Sequence, residues 1–138
     1  MTGHGPRTAL HAYLSYRDAD AALKWLTDVG FEVVTRQDGP GNTVIHSEVR
    51  YGEAVLMIAS ADADYDVPPL KGGSTGAGLY LWMPEPAAVD DWHRQAIAAG
   101  AQDVIAPEDT PWGSRRARVL DREGHEWSAG TYRPGDSW

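Results

Sequence analysis

Histidine and carboxylate side chains are the groups in this chain that could bind a metal ion or transfer a proton. The chain has 5 His and 20 Asp plus Glu but no Cys, which excludes thiolate nucleophiles, disulfides and Cys-ligated zinc. His46 and Glu48 are two positions apart, so a strand would place both on one face. His125 and Glu126 are adjacent beside a turn and would point to opposite faces. For these residues, and for His93 within a predicted helix, we expect hydrogen-bonded or solvated side chains rather than metal ligands.

A single histidine could still act as a general base, because an unperturbed pKa of about 6.5 suits proton transfer near neutral pH. His11, in the first predicted strand, is the candidate for that role. The sequence shows no Ser, His and Asp spacing that favours nucleophilic catalysis. Arg115, Arg116 and Arg118 form a basic run in an acidic chain. This run is either a solvated strand edge or a contact for an anionic or carbonyl-rich ligand.

Short strands and two helices must position these residues. Alternation predicts a strand over 8–17, and a helix follows that begins after the N-cap Asp18 and ends at Gly30. Three more strands are predicted at 31–36, 43–50 and 54–59. A segment rich in Ala, Asp, Pro, Gly and Ser then precedes a second series: a strand at 76–83, a helix at 85–99 ended by Gly100, and strands at 102–106, 115–120 and 126–132.

The two series indicate an internal repeat. At one offset, Tyr13-Leu14 corresponds to Tyr80-Leu81 and Trp25 corresponds to Trp92. We therefore predict a single domain over 1–138, with module one at 8–60, a linker at 61–75 and module two at 76–132. Each module would cover one face of its sheet with its helix, which is an α+β architecture. Two such βαβββ modules can form a curved, antiparallel-rich cup with the helices outside and a ligand cavity inside.

Charge and composition restrict the partners. The formal net charge of -8 argues against nucleic acid, whose binding depends on neutralising phosphates. The N-terminus has no apolar signal region, and no apolar stretch is long enough to span a bilayer, so a cytoplasmic protein without a membrane partner is expected. The aromatic residues are 6 Trp and 6 Tyr against 1 Phe, a bias towards rings that carry a polar tip.

Three segments carry a resemblance to a known family: YLSYRDADAALKWLTDVGFEVVTR (13–36), EVRYGEAVLMI (48–58) and PWGSRRARVLDREGHEWSAGTY (111–132). The chain resembles the vicinal oxygen chelate superfamily, and within it the glyoxalase/bleomycin-resistance-like (PhnB-like) branch. In the last segment, Arg122-Glu123 replaces the Pro-Asp or Pro-Phe more usual in that turn. The resemblance implies the glyoxalase/bleomycin resistance fold over nearly the whole chain.

The resemblance also implies where a divalent metal would bind. Enzymes of the superfamily take His and Glu ligands from the first and last strands of each half. His11 matches one such position, but Gly78, Met57 and Ser128 stand at the others and are unsuited to a hard divalent ion. We therefore expect neither a metal cofactor nor a metal-dependent active site, with a divalent metal as the alternative.

Strand alternation predicts an aromatic-lined pocket: if the face of the first strand that carries His11 points inward, Tyr13 and, in the fifth strand, Tyr80 and Trp82 line the cup. We interpret Trp25, Trp92 and Trp127 as core residues, and the inner faces of the cup as a binding surface. The candidate ligand-binding residues are His11, Tyr13, Met57, Tyr80, Trp82, Trp112, Arg116 and Ser128. The function predicted is a homodimeric, metal-independent protein of the bleomycin-resistance type that sequesters a planar or aromatic natural product such as an antibiotic. The alternatives are a metal-dependent glyoxalase-like lyase, isomerase or dioxygenase, and a metal-free enzyme that uses His11 as base.

Overall fold

A computed structural model describes residues 6–62 and 76–135. Each half contains one helix and one four-stranded sheet. The first half has β1 (Tyr13–Tyr16), α1 (Ala19–Asp28), β2 (Glu32–Asp38), β3 (Val44–Tyr51) and β4 (Ala54–Ser60). The second has β5 (Gly78–Trp82), α2 (Pro86–Ala98), β6 (Gln102–Asp109), β7 (Arg115–Leu120) and β8 (Glu126–Gly130).

The two sheets have the same topology. Their strand orders are β1-β4-β3-β2 and β5-β8-β7-β6, with the first and last strands of each half parallel and the other neighbours antiparallel. Tyr13 pairs with Met57 in the first sheet, and Tyr80 pairs with Ser128 in the second. The α+β class and the two βαβββ modules predicted from the sequence are confirmed.

Local sequence signals set the ends of α1 as expected. The Asp18 carboxylate accepts a hydrogen bond from the backbone N–H of Ala21 at 3.0 Å, which caps the first turn. At the other end Gly30 has φ +116°, a conformation that glycine adopts without steric cost. A side chain there would also collide with the ring of Tyr51, since a Cβ would lie 2.7 Å from its Cε2 atom.

Most strands differ from their predicted bounds by a few residues, and two of these differences affect the placement of residues discussed below. The first strand covers only Tyr13–Tyr16, so His11 precedes it. The sixth strand continues to Asp109, although the sequence predicts that it ends at 106, immediately before the turn signal of Pro107. Pro107 is tolerated because β6 is an edge strand whose pairing with β7 is irregular between Ile105 and Glu108.

The helix-covered faces of both sheets meet in one hydrophobic core. The ring of Trp25 on α1 lies 5.6 Å from that of Trp127 on β8, and Phe31 lies 5.9 Å from Trp127. The indole N–H of Trp25 also donates to the carbonyl of Ala96 on α2 at 3.4 Å. Trp25, Trp92 and Trp127 are all buried, which confirms their assignment to the core.

A buried carboxylate joins the two modules. Asp121, in the β7–β8 turn, accepts hydrogen bonds from the Tyr16 hydroxyl at 2.7 Å and the Trp127 indole N–H at 3.1 Å. Burial and the adjacent Asp121 carboxylate raise the pKa of Tyr16. Beside it, Glu123 accepts from the backbone N–H groups of Arg17 and Asp18 at 2.7 and 2.9 Å. The start of α1 is therefore held by the second half of the chain.

The helices of the described segments are both too short and too polar to cross a bilayer. The predicted linker at 61–75 lies outside the described residues except for Ala61 and Asp62.

Candidate ligand-binding site

A cavity of about 310 Å³ lies on the face of the second sheet that α2 does not cover, which we call its open face. Alternation along the strands decides which side chains reach it. Gly78, Tyr80, Glu126 and Ser128 point to the open face, whereas Trp127 and Ala129 between them are buried in the core. Every residue that lines the cavity belongs to the second half of the chain.

Charged and hydroxyl groups form the floor of the cavity. Arg118 pairs with Ser128 across β7 and β8, and its Nε donates to the Ser128 hydroxyl at 3.0 Å. The same Nε lies 3.6 Å from Oε2 of Glu126. The Glu126 side chain is 18% exposed and that of Arg118 37%, so both charges are partly withdrawn from water.

Two glycines make room for the side chains on this floor. A Cβ at Gly78 would lie 2.5 Å from Oε2 of Glu126, so the carboxylate occupies the space that a side chain at 78 would need. A Cβ at Gly130 would lie 2.5 Å from the Tyr80 hydroxyl, which donates to the carbonyl of Tyr132. Burial raises the pKa of Tyr80, so its phenol stays a neutral donor.

Trp112 forms one side of the cavity. It is 59% exposed, and the guanidinium of Arg116 lies 5.5 Å from the centre of its ring. Its loop is fixed by hydrogen bonds between Thr110 and Ser114, including a 3.0 Å bond from the Ser114 backbone N–H to the Thr110 hydroxyl. The loop therefore presents an indole face to solvent on an ordered turn.

The three arginines of the basic run lie in different environments. Arg115 pairs with Asp90 at 2.7 Å and Asp109 at 3.0 Å, and hydrogen bonding to Asp90 raises its pKa. Arg116 pairs with Glu108 at 2.8 Å while contacting Trp112. Arg118 reaches the cavity floor. The run is thus partly an ion-paired strand edge and partly a lining of the cavity.

The cavity brings together four of the residues predicted to bind a ligand: Tyr80, Trp112, Arg116 and Ser128. His11, Tyr13 and Met57 belong to the first half and do not line it. Trp82 lies in a neighbouring depression of about 620 Å³ near the β3–β4 turn, where the guanidinium of Arg133 is 4.4 Å from its ring. We favour the smaller cavity as the site because Arg118, Glu126 and Ser128 converge on its floor.

The open face of the first sheet carries polar groups of its own. His46 and Glu48 share this face, as their spacing predicts, and His46 Nε2 lies 2.7 Å from Oε2 of Glu48. Nδ1 of His11 lies 2.9 Å from the carbonyl oxygen of Val55. Tyr13 is 52% exposed on the same face.

These residues do not fit a divalent-metal site. Within residues 6–62 and 76–135, no three His, Asp or Glu side chains come close enough to share an ion. His11 precedes β1 in the first half, whereas Gly78 begins β5 in the second sheet, and the Glu126 carboxylate occupies the space beside Gly78. A tetrahedral or octahedral site needs three or more such donors around one point.

Sequence reasoning missed Glu126 and undervalued Arg118. Glu126 was predicted to begin the last strand, as it does in β8, but neither its pairing with Gly78 nor its place in the cavity was predicted. Its even spacing from Ser128 would have placed it on the open face, and the same spacing relates Arg118 to Arg116.

The fold and the cavity define a small α+β protein with a duplicated βαβββ unit and a ligand-sized cavity on one open sheet face. The sequence profile of the Glyoxalase/Bleomycin resistance protein/Dioxygenase superfamily matches residues 8–129. The chain belongs to this superfamily, which confirms the resemblance drawn from its motifs.

Individual relatives support the same placement. The Mycobacterium tuberculosis protein Rv0887c, which is uncharacterised, is 32% identical over 133 residues, covering 88% of this chain and 73% of its own. The crystal structure of TioX from Micromonospora sp. ML1 is 29% identical, with a TM-score of 0.70 over 92% of this chain and 100% of that one. Lactoylglutathione lyase from Agrobacterium tumefaciens is 25% identical, with a TM-score of 0.61 over 91% of this chain and 94% of that one.

Proposed function

We propose that this protein binds a planar or aromatic small molecule without a metal and acts by sequestering it, as a member of the bleomycin-resistance type. The observation that carries the proposal is the cavity on the second sheet, where an exposed indole stands over a polar floor. Its volume of about 310 Å³ is in the range of small-molecule sites. A planar ring laid against Trp112 would bury apolar surface on both partners.

The donor set favours binding over metal-dependent catalysis. The polar groups on the floor are a guanidinium, a carboxylate and a hydroxyl, which suit hydrogen bonding to a ligand better than coordination of an ion. The likeness to lactoylglutathione lyase keeps a glyoxalase-like reaction as the alternative. That alternative requires a ligand set for a metal, which the described residues of this chain do not assemble.

The proposal includes a homodimer. The open face of the first sheet exposes Tyr13 and carries His11 and Met57, which do not reach the cavity of their own chain. A second copy that laid this face over the cavity would bring both groups of predicted residues to one ligand. It would also cover apolar surface that a monomer leaves in water. The acidic net charge disfavours a nucleic-acid partner, and we extend the proposal to a cytoplasmic location.

Native mass spectrometry with metal analysis of the same sample tests the proposal. We expect a dimer without stoichiometric metal that retains two-ring planar aromatic compounds added from a panel. Trp112→Ala should weaken their binding by about 1–3 kcal/mol, while Ile45→Ala, a change at an exposed residue that does not line the cavity, should not. One divalent ion per subunit together with turnover of a glyoxalase substrate would replace the proposal with the enzymatic alternative. Failure of every panel compound to bind would refute it.

A further inference from the structure

The charge pair on the cavity floor has an unusual geometry. Arg118 and Glu126 approach to 3.6 Å, whereas the other arginine–carboxylate pairs in the described residues lie at 2.6–3.0 Å. A distance of 3.6 Å is too long for a hydrogen bond between the two groups. The Nε–H of Arg118 instead donates a hydrogen bond to the Ser128 hydroxyl. The two charges therefore stand side by side without a direct hydrogen bond.

This arrangement presents a donor next to an acceptor. The guanidinium offers N–H groups and no acceptor, whereas the carboxylate offers lone pairs and no donor. Both side chains line the cavity, and Gly78 provides the space in which the carboxylate lies. The two side chains carry opposite charges, so the floor offers a neutral ligand a charged donor and a charged acceptor side by side.

We propose that this floor selects planar ligands whose edge carries a carbonyl oxygen beside an N–H, as in a lactam or a ring-bound amide. Arg118 donates to the carbonyl oxygen and Glu126 accepts from the N–H, while the ring lies against Trp112. A ligand carboxylate would meet the like charge of Glu126, and a ligand ammonium would meet that of Arg118. The inference rests on the proposed function, because it names the chemical class of ligand for that cavity.

The selectivity can be measured with three probes of one shape: the lactam isoquinolone, its N-methyl derivative, and naphthalene. Tryptophan fluorescence or NMR titration of the full chain gives the three dissociation constants. We expect isoquinolone to bind about tenfold or more tightly than N-methylisoquinolone, because a hydrogen bond to a charged group is lost in the second.

Two variants on the floor and one control test the assignment. Glu126→Met keeps the length of the side chain but removes the acceptor, so the preference for isoquinolone should fall to within about twofold. Arg118→Met should weaken both lactams and leave naphthalene unaffected. Glu108→Gln, which alters the carboxylate paired with Arg116 outside the cavity lining, should leave the preference intact.

The outcomes separate this inference from the function on which it rests. If none of the three probes binds, the cavity is not the site and the proposed function fails. If all three bind alike and are weakened together by Trp112→Ala, the cavity stands and selection for an amide edge is refuted. A Glu126→Met variant that weakens all three probes equally would likewise refute it, since that pattern reports a structural role.

Discussion

Replacing Asp121 by alanine should lower the free energy of unfolding, because it removes hydrogen bonds that join the two halves of the molecule. Asp121 is 8% exposed and accepts hydrogen bonds from Tyr16 in the first half and Trp127 in the second. It also accepts from the backbone N–H groups of Glu123 and His125, both at 3.0 Å, within its own turn. Asp121→Ala removes the acceptor for all four donors at once.

The loss of unfolding free energy depends on which donors stay buried without an acceptor in the variant. The Tyr16 hydroxyl and the Trp127 indole belong to residues that are 2% and 0% exposed, so water reaches neither in the folded state. A buried donor left without a partner costs about 1–3 kcal/mol, and two therefore cost about 2–6 kcal/mol. We expect a loss of about 3–5 kcal/mol, a large part of the roughly 5–15 kcal/mol that stabilises a domain.

Urea unfolding followed by fluorescence and circular dichroism measures this loss. The matched control is Asp91→Ala, which removes an exposed carboxylate paired with Arg94 on one helix and should change the free energy of unfolding by less than about 0.5 kcal/mol. A double-mutant cycle with Tyr16→Phe should show a coupling of about 1 kcal/mol or more. If Asp121→Ala costs no more than the control, or if the cycle shows no coupling, the carboxylate does not join the halves as argued.

Three further substitutions test other contacts. Trp92→Phe removes a buried indole N–H that has no acceptor among the described residues, whereas Trp127→Phe removes one that donates to Asp121. In urea unfolding, Trp92→Phe should therefore cost at least about 2 kcal/mol less than Trp127→Phe, and equal losses would contradict this. Because the pKa of Tyr16 is raised in the folded protein, its phenol ionises first in the unfolded chain. Above pH of about 10, the free energy of unfolding of the parent should therefore fall by up to about 1.4 kcal/mol per pH unit relative to that of Tyr16→Phe. Parallel pH profiles of the two proteins would exclude this linkage. Gly78→Ala places a methyl group against the Glu126 carboxylate, so we expect an unchanged fold by circular dichroism but loss of the isoquinolone preference. A retained preference would show that the carboxylate need not lie over position 78.

Local chemistry made most of the elements predictable. Asp18 and Gly30 mark the two ends of α1, and both could be predicted because N-capping and a positive φ are properties of single residues. Pro107 misled the prediction of β6 because a turn signal is overridden at an irregular edge strand, and edge position depends on the whole sheet. Signals contained in a few residues were therefore reliable, and those that depend on strand order were not.

The candidate site was predictable only in part, for the same reason. Tyr80 was predicted to face the cup because it shares its strand parity with Gly78, and Ser128 because the family resemblance places its position there; the structure pairs the two across β5 and β8. The separation of His11 and Tyr13 from this cavity could not be predicted, because it depends on how the two sheets pack. That packing is set by contacts distant in sequence, such as those of Trp127 with α1.

The two halves fill equivalent positions in opposite ways. In the first half His11 on the first strand's side bonds to the backbone of Val55, whose own side chain is apolar. In the second half Gly78 has no side chain, and its partner Glu126 supplies the polar group. The polar side chain at this pair of positions therefore comes from the segment before β1 in the first half and from β8 in the second.

The connecting loops explain why only the second open face holds this cavity. The β6–β7 loop carries Trp112 on an ordered turn, and its indole raises one side of the cavity above the sheet. The corresponding β2–β3 turn, residues 39–43, consists of Gly, Pro, Gly, Asn and Thr and has no aromatic side chain to do so. The open face of the first sheet has no such wall, and its exposed Tyr13 suits contact with a second copy of the chain. Under the proposed function, the difference between two short loops therefore makes the second half the floor and wall of the cavity, and the first half of the partner completes the site by covering it.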